Sequence, residues 1–419
     1  MNDQTDLDGL LNEAGFLVDP YPAYARLREE APVFWSQRQQ QWLVSGLADC
    51  RTVLRDTTNF SSSGWERRYL EMLPPETQGV IPSITAHVSD PHLLISDGSL
   101  HDRLRACFRE PFLPRSIEPL KPRISALVAD LLDAIGDGDP VDVVSRIANP
   151  LPTNVIADMF GAPPADRSRF RGWSKALTEF FGQPAPDPAD AVTVEALLTD
   201  FRRYLSGLIE ERREAPTGDL ATVLGDGRWD PEMGRARLGT AVLLIVAGHE
   251  TTTNLIASSI RALMLHPEQL AGARSDSANV DRALEETLRW DSPIQRVRRV
   301  VKQDTDLRGV TLHKGDRVAV LVGSANRDPE LCDRPERFDL ARSPTAHMAF
   351  GSGAHFCLGN TLAKVEARIA VGAFLERFPH ARLDDAWHPT WRPTLTQRSL
   401  VDLQMRVKPS TEHSPAVLR

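Results

Sequence analysis

The sequence predicts a mainly α-helical protein with small β-sheets, folded as one domain. Three observations carry this. The stretch from about Pro231 to Leu265 contains Ala241–Ala247, apolar on every side, as a buried helix requires. From His101 to Arg213 the apolar spacing is mostly helical, punctuated by prolines. Strand signals are few and short, and no repeat or low-complexity linker offers a place to cut the chain, so residues 1–419 read as a single unit with flexible ends at 1–18 and 409–419.

Asp19-Pro-Tyr-Pro22 opens a short helix through Tyr24, Leu27 and Arg28, and Pro32 stops it. Trp42-Leu-Val44 reads as a strand. Residues 61–100 read as irregular, because Pro74-Pro75, Gly79, Pro82, Pro91 and Gly98 break any period. A long structureless stretch inside a folded unit is usually functional. After the central helix, a shorter one spans about Ala283 to Trp290 and ends before Ser292-Pro293. Val310 to Val322, with Gly315-Asp316 between apolar runs, reads as strand-turn-strand. The last helix starts at Leu358, with Leu358, Leu362, Val365 and Ile369 at steps of four, three and four.

The chain is 41% hydrophobic and 25% charged, the composition of a folded protein. A net charge of −8 argues against nucleic acid as the main partner, since phosphate binding needs a clustered positive surface. The acidic start Met1-Asn-Asp-Gln-Thr-Asp lacks the pattern of a secretory signal. No run approaches the roughly 20 apolar residues of a spanning helix, so no membrane partner and a cytoplasmic location are expected. Cys50, Cys107, Cys332 and Cys357 are scattered, with no Cys-x-x-Cys pair, which suits reduced thiols rather than a disulfide frame or structural zinc.

Phe350-Gly-Ser-Gly-Ala-His-Phe-Cys-Leu-Gly359 is the most informative segment. Gly351, Gly353 and Gly359 let the backbone turn sharply and approach a flat ligand. Cys357 lies just before a helix start, where the dipole and free N–H groups favour an anion and lower a thiol pKa. One thiolate, with no neighbour to complete a zinc tetrahedron, suits haem iron with an open opposite position. A free cysteine is usually a buried structural one, but Phe-Gly-x-Gly-x-His-x-Cys-x-Gly fixes six positions over ten residues.

Upstream, Ala247-Gly-His-Glu-Thr-Thr252 puts polar groups into an apolar helix, which is costly unless they serve something. Small residues leave room for a diatomic molecule, the Thr251 hydroxyl can donate and accept, and Glu250 can pass protons. A helix kink with satisfied polar groups is the plainer reading. His249-Glu250 begins like a zinc-protease motif, but position 253 is Thr and the second ligand is missing. Glu286 and Arg289 share a helix face and can pair. Glu210 and Arg213 show the same spacing, so only context raises the first pair.

On these segments the chain resembles the cytochrome P450 family, in particular its soluble bacterial members. The resemblance runs nearly the whole length, through Asp19-Pro-Tyr-Pro22, His101–Arg105, residues 241–254, Glu286–Arg289, Asn326-Arg-Asp-Pro329, Pro335-Glu-Arg-Phe-Asp339 and the cysteine loop. It implies the single-domain fold of that family and a haem-dependent monooxygenase that oxidises a hydrophobic small organic molecule with dioxygen. The cofactor would be haem b (iron protoporphyrin IX), with Cys357 as axial ligand and Phe350, Gly351 and Gly359 around it. His101, Arg105, Arg299 and His355 match propionate contacts, with Arg298 as a neighbouring register. Glu250 and Thr251 match the acid–alcohol pair that relays protons during oxygen activation. Glu286, Arg289 and Arg337 match a structural network behind the haem. The pocket would be lined by Leu243, Val246, Ala247, Ile294, Val297 and Leu400.

With no reductase domain fused, electrons are expected from a ferredoxin or flavodoxin with its NAD(P)H reductase, docking on a face that carries Arg103, Arg109 and Arg115. Two departures stand out: Asp97-Gly-Ser-Leu-His101 replaces Asp-Pro-Pro-x-His, and Lys364 stands where Arg is common. The rival readings are a peroxide-driven peroxygenase, disfavoured by the absence of the Arg-Pro pair such relatives carry, and a non-catalytic gas-binding haem protein, disfavoured by the intact Glu250-Thr251 pair.

Overall fold

The computed structural model describes residues 7–11, 15–136, 140–183, 185–227 and 229–408. Its axis is the 35-residue helix Pro231–Leu265. The Asp230 carboxylate caps it by accepting the Met233 N–H, and Pro231 fills the first turn, where a missing N–H costs nothing. Helices Pro150–Met159, Arg167–Gly182, Pro188–Glu214, Ala278–Trp290 and Asn360–Arg377 pack around it. Ala241, Val242, Leu244 and Ile245 are buried, as an all-apolar segment demands. One stripe is not: Leu243 and Val246 are half-buried and Ala247 is exposed. The helix runs through residues 247–252 without a break.

The largest sheet has five strands in the order Val33–Ser36, Gln41–Val44, Arg317–Val320, Val297–Val301, Phe60–Ser61. Gln41–Val44 and Arg317–Val320 run parallel, with Trp42 opposite Val318; the other pairs are antiparallel. A second sheet joins Val141–Asp142, Gln404–Arg406 and Arg382–Leu383.

Several expectations shift. Residues 61–100 are not structureless: helices Arg67–Glu71, Pro75–Gln78 and Pro82–Ser89 lie within them, and the next helix starts at Gly98. Pro75 and Pro82 begin helices rather than break them, since proline is pre-set for the first helical position. Val310–Leu312 and Arg317–Val320 are both strands but do not form a hairpin, because Val310–Leu312 pairs back onto Thr305–Leu307. The last helix is Asn360–Arg377, and its buried face runs through Leu362, Glu366, Ala370, Val371 and Phe374, while Leu358, Val365 and Ile369 are half-buried. At the N-terminus Leu7, Leu11 and Phe16 are buried in one cluster with Tyr24 and Leu27. Residues 409–419 lie outside the described residues.

Candidate active site

The cysteine loop is tied down by its backbone. The Cys357 N–H donates to the Phe350 carbonyl at 2.9 Å, and Asn360 Nδ2 donates to the Cys357 carbonyl at 2.8 Å. Gly351 (φ 76°) and Gly353 (φ 75°) supply the left-handed turns. A Cβ at Gly353 would come within 2.6 Å of the Leu54 carbonyl oxygen. Gly359 has an ordinary φ of −86°, so it is not needed for the turn; a Cβ there would meet only Phe112, at 3.9 Å, beside open space. The thiol behaves against expectation. Burial pushes the Cys357 pKa up, and the Gly359 N–H and Arg105 only partly oppose this. Helix Asn360–Arg377 starts three residues later, too far for its dipole to dominate. A bound metal ion would itself strip the proton.

Beside the thiol sits an unbalanced cluster of cations. Arg105 Nη2 donates to the Phe356 carbonyl at 2.7 Å, linking helix Gly98–Arg109 to the loop. On the same helix His101 is 2% exposed, its ring 4.1 Å from that of His355, and its Nε2 has no partner. Burial, then the nearness of His355, holds the His101 pKa down. Arg299 is buried and pushed down to about 10, opposed by Asp97. His355 Nε2 stands 3.7 Å from Asp97 Oδ1. Burial raises Asp97, but His355, Ser61 and the Ser62 N–H outweigh it and hold the carboxyl well below its usual range. Asp97 thus faces His355 and Arg299, while Asp102 stands 3.4 Å from His101 Nδ1. An orphaned Nε2, the guanidiniums of Arg299 and Arg105 and an open cradle at Gly359 fit a flat group that carries carboxylates and takes a sulfur ligand, as haem b does. Arg298 is not part of this: it projects from the other face of its strand, 4.8 Å over Trp65.

On the long helix Thr251 Oγ1 donates to the Ala247 carbonyl at 3.0 Å, one turn back, leaving its lone pairs free. Glu250 is 4% exposed and burial raises its pKa; Arg392 and Lys175 lower it and Glu179 adds to the rise. Glu179 and Arg392 are themselves ion-paired. His249 is fully buried, and burial takes it down to about 4, opposed by the backbone at Asn149. Gly248 lies against Ile156, where an added Cβ would sit at 3.6 Å.

Glu286 and Arg289 form a two-pronged pair, Nε to Oε2 and Nη2 to Oε1, both 2.8 Å. Arg289 also donates to the carbonyls of Asn326, Pro335 and Arg337. The third side chain is not that of Arg337, which points into solvent and contributes only its carbonyl. Arg342 takes that place, its Nε 3.1 Å from Glu286 Oε1. Lys364 bridges to Glu285 at 3.0 Å. His347 then Lys364 bring the Glu285 carboxyl down to about 2.

Among the expected pocket residues, Leu243, Val246 and Ala247 form the open stripe, and Ile294 and Val297 are half-buried. Leu400 is core, 3% exposed and bridged to Trp391. The basic face is weaker than expected, because Arg103 pairs with Asp230 and Glu232 and Arg115 with Glu110. Asp97, Arg342 and Arg296 were not singled out from sequence. Asp97 carried one signal: it stands at a helix start, yet its side chain caps nothing because Ser61, Ser62 and His355 claim it.

The family model described as cytochrome P450 matches residues 274–399. The chain is 38% identical over 402 residues to the cytochrome P450 monooxygenase PikC of Streptomyces venezuelae, covering 93% of this chain and 92% of that protein. Among solved structures, CalO2 superposes with a TM-score of 0.86 at 32% identity, over 95% of this chain and 98% of that one. P450BioI, solved with hexadec-9Z-enoic acid ligated acyl carrier protein, superposes with a TM-score of 0.84 at 32% identity, over 94% and 99%. No helix among the described residues is long and apolar enough to cross a membrane.

Proposed function

The chain belongs to the cytochrome P450 family, haem-b-dependent monooxygenases that oxidise organic molecules with dioxygen and electrons from redox partners, and we propose that Cys357 is its axial ligand and Glu250 with Thr251 its proton path. The observation that carries this is the junction made by Arg105. It ties the cysteine loop to the helix of His101, so that the thiol lies within reach of the Arg105 charge. When bound, haem supplies the oxygen-activating redox chemistry, and a thiolate ligand favours O–O cleavage.

The chain's own groups do the rest. His101, His355, Arg299 and Arg105 would hold the cofactor's carboxylates, and Phe350, Gly351 and Gly359 shape the cysteine loop. Glu250, its carboxyl pushed up by burial, carries a proton inside the helix. Thr251 orients the proton at its hydroxyl, anchored to the Ala247 carbonyl. Leu243, Val246 and Ala247 exclude water on the substrate side, with Ile294 and Val297 beyond them. Glu286, Arg289 and Arg342 keep the region behind the loop rigid. Residues 1–419 act as one domain in the cytoplasm, drawing electrons from a ferredoxin or flavodoxin and its NAD(P)H reductase. Arg105 and exposed Phe356 mark the docking side, with Arg109 nearby.

The test is the reduced carbonyl spectrum of the holoenzyme. Wild type should show the red-shifted band of thiolate ligation, and Cys357→His should lose it. An unchanged band in that variant refutes the ligand.

A further inference from the structure

A cavity of about 470 Å³ opens beside Arg299, within the size range of small-molecule sites. Phe16, Trp65, Tyr69 and Leu395 give it apolar walls. Six arginines line it, Arg38, Arg68, Arg296, Arg298, Arg299 and Arg317, and no Asp or Glu is among the described lining residues. In a chain of net charge −8 this is a concentrated positive field.

Some of these cations have work already. Arg317 pairs with Glu71, Arg298 stacks on Trp65 and donates to the Tyr69 hydroxyl, and Arg299 faces Asp97. Arg296 does not. It is 2% exposed, and its Nη1 donates to Gln39 Oε1 at 2.6 Å. The Tyr24 hydroxyl supports the guanidinium as a second, weaker hydrogen-bond partner and Phe16 lies under it, but Nε and Nη2 meet no acceptor at close hydrogen-bond geometry. Nε and Nη2 form one of the two edges of a guanidinium that can grip two oxygens at once. Gln39 holds the far prong, so the fork is oriented before anything binds. The buried Gln39 Nε2 is a further donor without an acceptor. Leaving such donors buried and unmet is costly, and what they lack is an oxyanion.

We propose that the substrate is an organic acid with an apolar body, its carboxylate or phosphate seated on the Nε–Nη2 edge of Arg296. The assignment rests on the monooxygenase reading and narrows the expected hydrophobic molecule to an amphipathic anion.

Calorimetric titration of the holoenzyme with dodecanoate, dodecyl phosphate and dodecan-1-ol, beside the Soret shift, tests it. At least one anion should bind about tenfold more tightly than the alcohol, as a charge-assisted pair allows, and the tighter of the two names the oxyanion. Arg296→Gln should erase that preference while keeping haem content and the carbonyl band. Arg68→Gln, on the same cavity, should reduce it and serves if Arg296→Gln does not fold. Equal affinity for acid and alcohol overturns the proposal, as does a preference that survives in Arg296→Gln. Loss of haem from that variant would make Arg296 a cofactor anchor and overturn it too. An intact carbonyl band without acid preference defeats the acid seat alone; acid preference without the band defeats the haem reading alone.

Discussion

Arg289 and Arg296 are buried to nearly the same depth, at 0% and 2% exposure, yet the chain treats their donors differently. Every nitrogen of Arg289 is engaged, two of them by Glu286 and the rest by carbonyls of a loop far along the sequence. Arg296 has one engaged nitrogen and two idle ones. The same division separates the Glu286 network from His101, whose Nε2 is buried without a partner. A buried polar group that the chain satisfies holds the structure together. One it leaves open is a cost the fold tolerates because something else completes it.

If this division is sound, breaking the satisfied network should destabilise the protein most. Glu286→Gln leaves Arg289 charged in the interior and should cost about 3–5 kcal/mol, read by chemical denaturation, with haem lost in parallel. A cost under about 1 kcal/mol would erase the distinction. Next comes Glu250→Gln, which keeps shape but removes the proton. Turnover should fall about a hundredfold with an increased solvent isotope effect, while denaturation midpoints stay put. Thr251→Ala should likewise spare stability and divert reducing equivalents from product to peroxide.

A smaller effect sharpens the contrast by pH. The His249 pKa is about 4 when folded and 6.5 in its ordinary state, so its contribution is complete above pH 6.5 and is lost as pH falls toward 4. The slope should be at most about 1.4 kcal/mol per pH unit, and His249→Asn should flatten it in thermal melts taken from pH 7 to pH 4.5. The smallest effect has the opposite sign. His101→Phe keeps the stack on His355 but removes the orphaned nitrogen, so the cofactor-free chain should gain up to about 1 kcal/mol while releasing haem about tenfold faster. Destabilisation of the cofactor-free form would show that His101 belongs with the satisfied groups.

The parts legible in sequence were those with local causes. The apolar run 241–247, the glycine-spaced cysteine loop and the three-residue step of Glu286 and Arg289 each encode their own geometry. What escaped depends on long-range meetings. Arg342, not Arg337, reaches Glu286 because the loop between them turns the Arg337 side chain outward. Val33–Ser36 becomes a strand by pairing with Gln41–Val44, and Val310–Leu312 by pairing backward, neither visible in a short window. The Cys357 thiol was expected to ionise readily from its place before a helix, but burial wins over a dipole three residues away. Arg296 looked like one of many arginines, since only the assembled cavity shows which donors stay idle.

The parallel pairing of Gln41–Val44 with Arg317–Val320 sets the order in which this protein can be made. A ribosome must release about three-quarters of the chain before the second strand emerges, and the cysteine loop follows later still. Contacts of such sequence separation form late and slowly. The cofactor cradle, drawn from residues near 100, 299 and 355, therefore closes only after the cysteine loop has been made. Haem capture must then wait for the cysteine loop, long after the helices of the N-terminal half have been made.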